Sequence, residues 1–158
     1  MNVKSKVFKL ENFINQLTLI KKKNLVIGFT NGCFDLLHEG HIKLISEAKK
    51  KCNYLIIGLN SDSSIKKLKG IDRPIDNEAT RIKKLSIRSE VDAIIVFSED
   101  TPLDLIKKIV PNKLFKGSDY KDQVVVGADF IINTSGNVEY IDILEGYSTT
   151  NIINNASN

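Results

Sequence analysis

Residues 28–45 read GFTNGCFDLLHEGHIKLI, and the interpretation of the whole chain starts from this stretch. It contains both histidines of the 158-residue chain, His38 and His41. The apolar run that ends at Thr30 predicts a buried strand, and the amphipathic residues after His41 predict a helix. A polar turn between a strand and a helix is where α/β proteins place their ligands. We therefore expect this turn to belong to a binding site.

Short runs rich in Val, Ile, Leu and Phe alternate with amphipathic segments along the rest of the chain. Strands that are apolar on both faces indicate a sheet covered on both sides, and alternation with helices favours parallel pairing. We predict a three-layer, Rossmann-like, doubly wound α/β fold with a parallel sheet of about five strands. The predicted strands are Leu25–Thr30, Tyr54–Leu59, Ala93–Phe97, Lys113–Phe115 and Val138–Ile141, and the predicted helices cover residues 41–51, 78–89 and 103–110.

The length of the chain fits one domain, and no repeat or linker divides it. We predict that residues 1–158 form a single domain, with residues 1–23 as a helical extension packed on it. The helix of that extension is placed over Leu10–Lys22. At the helix 103–110, Thr101 is expected to be the cap and Pro102 the first helical residue.

Composition excludes some classes of protein. Hydrophobic residues make up 42% and charged residues 27%, which is ordinary for a globular protein. The net charge of 23 − 19 = +4 is compatible with an anionic substrate, but no basic stripe with interleaved aromatic residues predicts nucleic-acid binding. No apolar run approaches the roughly 20 residues of a membrane span, and the N-terminus lacks the apolar core of a secretory signal. We expect a cytoplasmic protein without a membrane partner, with Cys33 and Cys52 reduced.

The turn after the first predicted strand has the chemistry of a phosphate site. Gly32 allows backbone N–H groups to approach an anion, and Gly40 allows the following helix to begin close to a ligand. His38 and His41 are three residues apart at the helix start, so their imidazoles can face one point. Nucleotidyl transfer requires positioning and hydrogen-bond donors around the α-phosphate and the leaving pyrophosphate. The pair of histidines fits that requirement.

Other interpretations of the turn are weaker. A zinc site would lack a cysteine and have only Glu39 and Asp35 beside the histidines, so we predict no protein-bound metal. A serine hydrolase would need a nucleophile elbow, which the sequence lacks. A P-loop and the glycine fingerprint of NAD(P)-linked oxidoreductases are also lacking. A purely structural role for both histidines stays open.

The string GCFDLLHEGH resembles the HxGH signature of the cytidylyltransferase-like nucleotidyltransferases. LNSDSSIKKLKGIDRPI, VDAIIVFSEDTP, LFKGSDY and GYSTTNII follow in the order found in that family, so the similarity covers roughly residues 10–153. Together these segments resemble the adenylyltransferase half of the bifunctional heptose kinase/adenylyltransferases. The resemblance implies transfer of AMP from ATP, with Mg²⁺, to D-glycero-D-manno-heptose 1-phosphate, and it allows a homodimer. Two alternatives stay open: a cytidylyltransferase that uses CTP and glycerol 3-phosphate, and a nucleotide-binding module without activity.

The resemblance also implies roles for particular residues. His38 and His41 would stabilise the α-phosphate, and Asp35 would either order the loop or help to place magnesium. Hydroxyl groups after the last strand would bind the β- and γ-phosphates. Cations after the second strand would bind phosphate groups, although Arg81 could instead form a surface ion pair. The predicted nucleotide-binding residues are Thr30, Asn31, Gly32, Cys33, Phe34, Asp35, Gly40, Lys116, Gly117, Asp119, Tyr147, Ser148, Thr149 and Thr150, and the predicted phosphate-binding cations are Lys69, Arg73 and Arg81.

One departure from the family pattern lies in the KGSDY segment. Ser118 stands where the family has a second glycine. Only glycine adopts some backbone angles without strain, so a role that needs such an angle is in question at this position.

Overall fold

The structure, a computed structural model, describes residues 5–143 and 148–156. The strands are β1 (Val7–Phe8), β2 (Ile27–Gly32), β3 (Tyr54–Asn60), β4 (Ala93–Phe97), β5 (Lys113–Gly117) and β6 (Asn137–Ile141). The helices are α1 (Leu10–Lys22), α2 (Glu39–Lys50), α3 (Asp62–Lys69), α4 (Glu78–Ser86), α5 (Leu103–Ile109), α6 (Ala128–Asn133) and α7 (Thr149–Ala156), and Ser118–Tyr120 form a 3₁₀ turn.

The strands pair in parallel in the order β1-β4-β3-β2-β5-β6, which confirms the predicted doubly wound α/β fold. The sheet has six strands because β1, which was not predicted, pairs along the edge of β4 through Val7 and Ile94. Two residues are too few to show a periodic pattern. Both β2 and β5 run two residues beyond their predicted ends, since backbone pairing continues after the apolar residues stop.

Helices cover both faces of the sheet and form two apolar cores. Successive residues of β3 alternate between them: Ile56 lies in one core, and Leu55 and Ile57 lie in the other. The first core contains Phe13, Leu17 and Ile20 of α1 together with residues of α5 and α6, so the N-terminal helix packs on the sheet. The second core contains residues of α2 and α4. Full burial of such side chains contributes about 1.5–3 kcal/mol each.

Some helix boundaries differ from the predicted ones. Residues 66–69 lie outside the predicted helices but form the last turn of α3, which is capped by Gly70 with φ 104°. An eight-residue helix with Ile65 as its buried apolar residue shows little periodicity, which is why the pattern missed it. The cap of α5 was also wrong by one position: Pro102 is the N-cap residue, and the helix begins at Leu103. Among the helices of the described residues, none has the length and apolar character needed to cross a membrane.

The strand order creates a crevice between β2 and β5. From β2 the chain continues to β3 and β4 on one side, whereas β5 and β6 lie on the other side. The connections diverge at this switch point, which leaves the carboxyl ends of β2 and β5 uncovered. The crevice therefore lies beside Asn31 and Gly32 of β2 and Lys116 and Gly117 of β5. Lys116 Nζ donates to Asn31 Oδ1 across it, at 2.9 Å.

Candidate active site

A cavity of about 480 Å³ lies at the switch point. It is bordered by the turn after β2, the end of α3, the segments that follow β5 and β6, and the start of α7. The predicted residues that line it are Asn31, Gly32, Cys33, Phe34, His38, Gly40, His41, Lys69, Gly117, Asp119, Ser148, Thr149 and Thr150. Segments separated by more than a hundred positions in the sequence thus meet at one hollow.

The two histidines are fixed by the start of α2. His38 is the N-cap residue, and its Nδ1 accepts hydrogen bonds from the amides of Gly40 at 3.1 Å and His41 at 3.4 Å. His41 Nδ1 accepts in return from the amide of His38 at 3.3 Å, which completes a reciprocal capping box. The rings stack with centroids 3.7 Å apart. Because each Nδ1 is an acceptor, the neutral rings carry their protons on Nε2.

Both imidazoles are neutral at neutral pH. Burial, followed by electrostatic coupling to His38 and the positive charge of Lys69, lowers the pKa of His41 to about 3 against the opposing effect of Asp35. Burial also lowers the pKa of His38. A neutral imidazole protonated on Nε2 donates a hydrogen bond there without carrying a full charge. The pair can therefore donate to oxygens on which negative charge develops.

Asp35 orders the turn and is closed off from the cavity. Its side chain is 1% exposed, and its carboxylate accepts from the amides of Ile75 and Asp76, both at 2.8 Å, and from Arg73 Nε at 3.2 Å. Burial opposes ionisation, but these hydrogen bonds hold the pKa of Asp35 below its usual value. The structure thus places this carboxylate in the turn and away from the cavity, in agreement with the loop-ordering alternative.

The predicted cations have different environments. Lys69 lines the cavity, whereas Arg73 pairs with Asp35 outside it. Arg81 is 0% exposed, so the structure does not bring it to the cavity, and the ion pair that it forms with Asp62 is in the interior and not on the helix surface. Its Nε donates to Asp76 O, its Nη1 to Cys33 O and Asn60 O, and its Nη2 to Asp62 Oδ1. The sequence showed the charge of these residues but not the direction in which each side chain points.

Two further predicted contacts are displaced from the cavity. Thr30 is 1% exposed within β2, so its hydroxyl is closed to a ligand. Lys116 is not a lining residue; it donates to Asn31, which lines the cavity, and its Nζ is 5.3 Å from the centroid of the Tyr120 ring. Burial lowers the pKa of Lys116 to about 8, and Asp119 partly offsets that effect. Lys116 therefore supports the wall instead of lining it.

The start of α7 brings three hydroxyl residues to the cavity, Ser148, Thr149 and Thr150. The main-chain amides at the first turn of a helix attract anions, and neighbouring hydroxyls add donors. Thr149 also has a structural contact, because its hydroxyl donates to the carbonyl oxygen of Asp35 at 2.6 Å. This bond joins α7 directly to the turn that carries the histidines. The predicted nucleotide contact of Tyr147 lies outside the described residues.

Several lining residues were not predicted: Leu44, Tyr120, Ile141, Asp142 and Ile143. The rule that ligands lie beyond strand ends would have found Asp142 and Ile143, which directly follow β6. Leu44 lies one turn after His41, on the same helical face.

Ser118 does not have a left-handed backbone, so this position does not require glycine. Its hydroxyl accepts from the amide of Ile143 at 3.3 Å. Gly117 is the position without room for a side chain, because a Cβ there would lie 2.9 Å from Ile143 Cγ2. Within residues 5–143 and 148–156, no three His, Cys, Asp or Glu residues cluster closely enough to hold a metal ion.

The parallel sheet, its switch-point cavity and the helix start beside it define a Rossmann-like α/β domain with a crevice at the switch point. The sequence profile of the cytidylyltransferase-like family matches residues 29–155, and the chain belongs to that family. The family resemblance predicted from the HxGH string is thereby confirmed.

Curated relatives support the same assignment. The chain is 50% identical over 140 residues to "Bifunctional protein HldE" of Nitrobacter winogradskyi, covering 89% of this chain and 29% of the relative. It is 50% identical over 145 residues to the protein of the same name from Campylobacter jejuni subsp. doylei, covering 92% of this chain and 31% of the relative. The chain thus spans just under a third of the length of these relatives.

Two solved structures are similar in fold. The lipopolysaccharide core biosynthesis protein from Thermoplasma volcanium has a TM-score of 0.61 and 25% identity, over 78% of this chain and 99% of that one. A pantoate-beta-alanine ligase from Francisella tularensis, complexed with beta-gamma ATP and beta-alanine, has a TM-score of 0.68. It is 17% identical, over 96% of this chain and 73% of that one, and shows the fold alone.

The pKa of His41 predicts acid sensitivity. The folded pKa of about 3 lies below the ordinary value of 6.5, so between these pH values the unfolded chain binds a proton that the folded chain excludes. Stability from this group is complete above pH 6.5 and is lost progressively as the pH falls towards 3. When the pH is lowered from 7.5 to 5, the free energy of unfolding should fall by up to about 2 kcal/mol more in wild type than in His41→Asn, because asparagine does not titrate in that range. Urea unfolding at both pH values measures the difference, and equal losses would contradict the assignment.

The bond between Thr149 and Asp35 predicts a structural effect at a cavity residue. Thr149→Val leaves a buried carbonyl without its donor, which should lower the free energy of unfolding by about 1–3 kcal/mol. Thr149→Ser keeps the hydroxyl and should recover most of that loss. The exposed neighbour Thr150 provides the control, since Thr150→Val should change stability by less than about 0.5 kcal/mol. Chemical denaturation without nucleotide makes the comparison, and equal effects of the two valine variants would refute the prediction.

Proposed function

We propose that this chain is a nucleotidyltransferase that transfers AMP from ATP to D-glycero-D-manno-heptose 1-phosphate, giving ADP-heptose and pyrophosphate. The observation that carries the proposal is that the histidine pair and the hydroxyl residues of α7 line one cavity. Its volume of about 480 Å³ lies in the range of cofactor-sized sites, about 300–1,000 Å³. The printed name of the relatives, "Bifunctional protein HldE", supports the heptose assignment through the resemblance drawn from the sequence.

The geometry suggests how the triphosphate would lie. The α-phosphate would lie against His38 and His41, and the β- and γ-phosphates would lie at the first turn of α7, where amides and hydroxyls favour anions. An oxygen of the sugar 1-phosphate would attack the α-phosphorus opposite the bond to pyrophosphate. That oxygen forms the new P–O bond as pyrophosphate leaves with the electrons of the old one. Lys69 would offset the negative charge of the approaching phosphates.

The neutral histidines suit this reaction. The transferring phosphate carries more negative charge on its oxygens near the transition state than the triphosphate does at rest. Donors held by the capping box need no rearrangement to meet that charge. Their effect should therefore fall on turnover more than on binding, because only interactions that strengthen in the transition state accelerate the step.

Magnesium is proposed to bind with ATP. The donors of the cavity fit such an ion, since Asp119 and Asp142 are oxygen ligands and Mg²⁺ commonly uses one or two carboxylates together with substrate phosphates. Bound magnesium would offset part of the charge of the triphosphate. We place the activity in the cytoplasm. The homodimer allowed by the family resemblance is tested by sedimentation of the purified protein.

A second candidate is transfer of CMP from CTP to glycerol 3-phosphate or a related alcohol phosphate. The match to the cytidylyltransferase-like family favours it, and the histidine pair would act on the α-phosphate of either nucleotide. The third interpretation, a nucleotide-binding module without activity, gives no reason for two neutral donors on the cavity.

Turnover with a panel of the four nucleoside triphosphates and several sugar and alcohol phosphates tests the proposal. Mass spectrometry of the products should find ADP-heptose, and His41→Ala should lower kcat by about 10²–10³ with a smaller change in KM. Lys50→Ala, on the solvent side of α2, serves as the control and should keep wild-type turnover. Near-wild-type turnover by His41→Ala would refute the mechanism. A CDP-linked alcohol as the product would refute the heptose assignment and support the cytidylyltransferase candidate.

A further inference from the structure

Arg81 is a charged residue in the interior of the protein. It is 0% exposed, and its guanidinium donates to the carbonyls of Cys33 and Asn60 at 2.9 and 2.7 Å. The carboxylate of Asp62 accepts from it at 2.8 Å. Burial of a charge costs several kcal/mol unless its hydrogen bonds are well made. These contacts join the residue after β2 to the end of β3, beside the turn that leads to the histidines.

The bond to Cys33 sets the direction of a peptide group. In a trans peptide, the carbonyl of Cys33 and the N–H of Phe34 point in opposite directions. Since the carbonyl points into the buried guanidinium, the N–H of Phe34 points away from it. Phe34 lines the cavity, and within the described ranges its amide donates to no protein acceptor.

The conformation of Phe34 shows that the peptide is held in place. Its φ of 49° lies in the left-handed region, which is strained for a non-glycine residue. Such conformations persist where the surrounding structure enforces them, and they occur often at functional sites. The hydrogen bond from Arg81 to the carbonyl of Cys33 is one of the contacts that enforce the left-handed conformation of Phe34.

We infer that Arg81 is a positioning residue that holds the Cys33–Phe34 peptide so that the amide of Phe34 faces the cavity and donates to a phosphate oxygen of the nucleotide. The inference deepens the proposed function and rests on it for the kinetic effect. Lysine cannot replace arginine here, because one ammonium cannot reproduce the planar fork that reaches three carbonyls, including that of Asp76, and a carboxylate.

The test compares Arg81→Lys with wild type and with Arg88→Lys. Arg88 donates to Glu90 at 2.9 Å outside the cavity, so its variant makes the same chemical change elsewhere. The readout is the amide NMR resonance of Phe34 in ¹⁵N-phenylalanine-labelled protein, before and after addition of an ATP analogue with a methylene group between the α- and β-phosphates. The resonance should shift in wild type and Arg88→Lys and should stay unmoved in Arg81→Lys. At a temperature where all three are folded, kcat of Arg81→Lys should fall at least about 10-fold, as expected for a misdirected donor.

If Arg81 has only a structural role, Arg81→Lys should lose thermal stability but keep the Phe34 shift and the wild-type kcat. That result overturns the inference. Should Arg81→Lys not fold, Asp62→Asn removes the carboxylate that holds the far side of the guanidinium, and an undiminished Phe34 shift in that variant also overturns the inference. Wild type that shifts the Phe34 resonance without turning over refutes the proposed function alone. Wild type that turns over without the shift refutes the inference alone.

Discussion

The turn between β2 and α2 holds Phe34 and Leu36 in left-handed backbone conformations, with φ near 50° at both residues. Neither is glycine, so the turn is stable only because other parts of the chain restrain it. The carboxylate of Asp35 binds the amides of Ile75 and Asp76, and two carbonyls of the turn accept from Arg81 and Thr149. Segments after β3 and after β6 thus converge on one short loop. The position of the histidines follows from those restraints.

The same restraints explain the electrostatics of the site. The side chains that hold the turn form two ion pairs, Arg73 with the buried Asp35 and the buried Arg81 with the half-buried Asp62. The cavity is lined by two neutral imidazoles, three hydroxyls and the start of a helix, together with the charged side chains Lys69, Asp119 and Asp142. Ion pairs therefore fix the backbone of the turn, and the imidazoles and hydroxyls are neutral donors on the side where a charged substrate would bind. Such donors stabilise charge that develops during a reaction without holding the substrate too tightly beforehand.

The class of fold and the location of the site followed from the sequence because both depend on apolar pattern and on the ends of strands. Strand β4 was predicted with its observed bounds, since all five of its residues are apolar. Strand β1 could not be predicted from two residues. The directions of the Asp35 and Arg81 side chains could not be predicted, for a physical reason. An ionisable residue near a motif is equally consistent with a ligand contact and with a buried ion pair, and only the packing of distant segments decides between them.

The central claim is that one nucleoside triphosphate spans the cavity from the histidine pair to the start of α7. A crystal structure of the protein with a non-hydrolysable ATP analogue tests it most directly. The account predicts α-phosphate oxygens within about 2.7–3.1 Å of the histidine Nε2 atoms, with the β- and γ-phosphates at Ser148–Thr150. A nucleotide bound elsewhere, or one whose phosphates contact only one of these two groups, would contradict it.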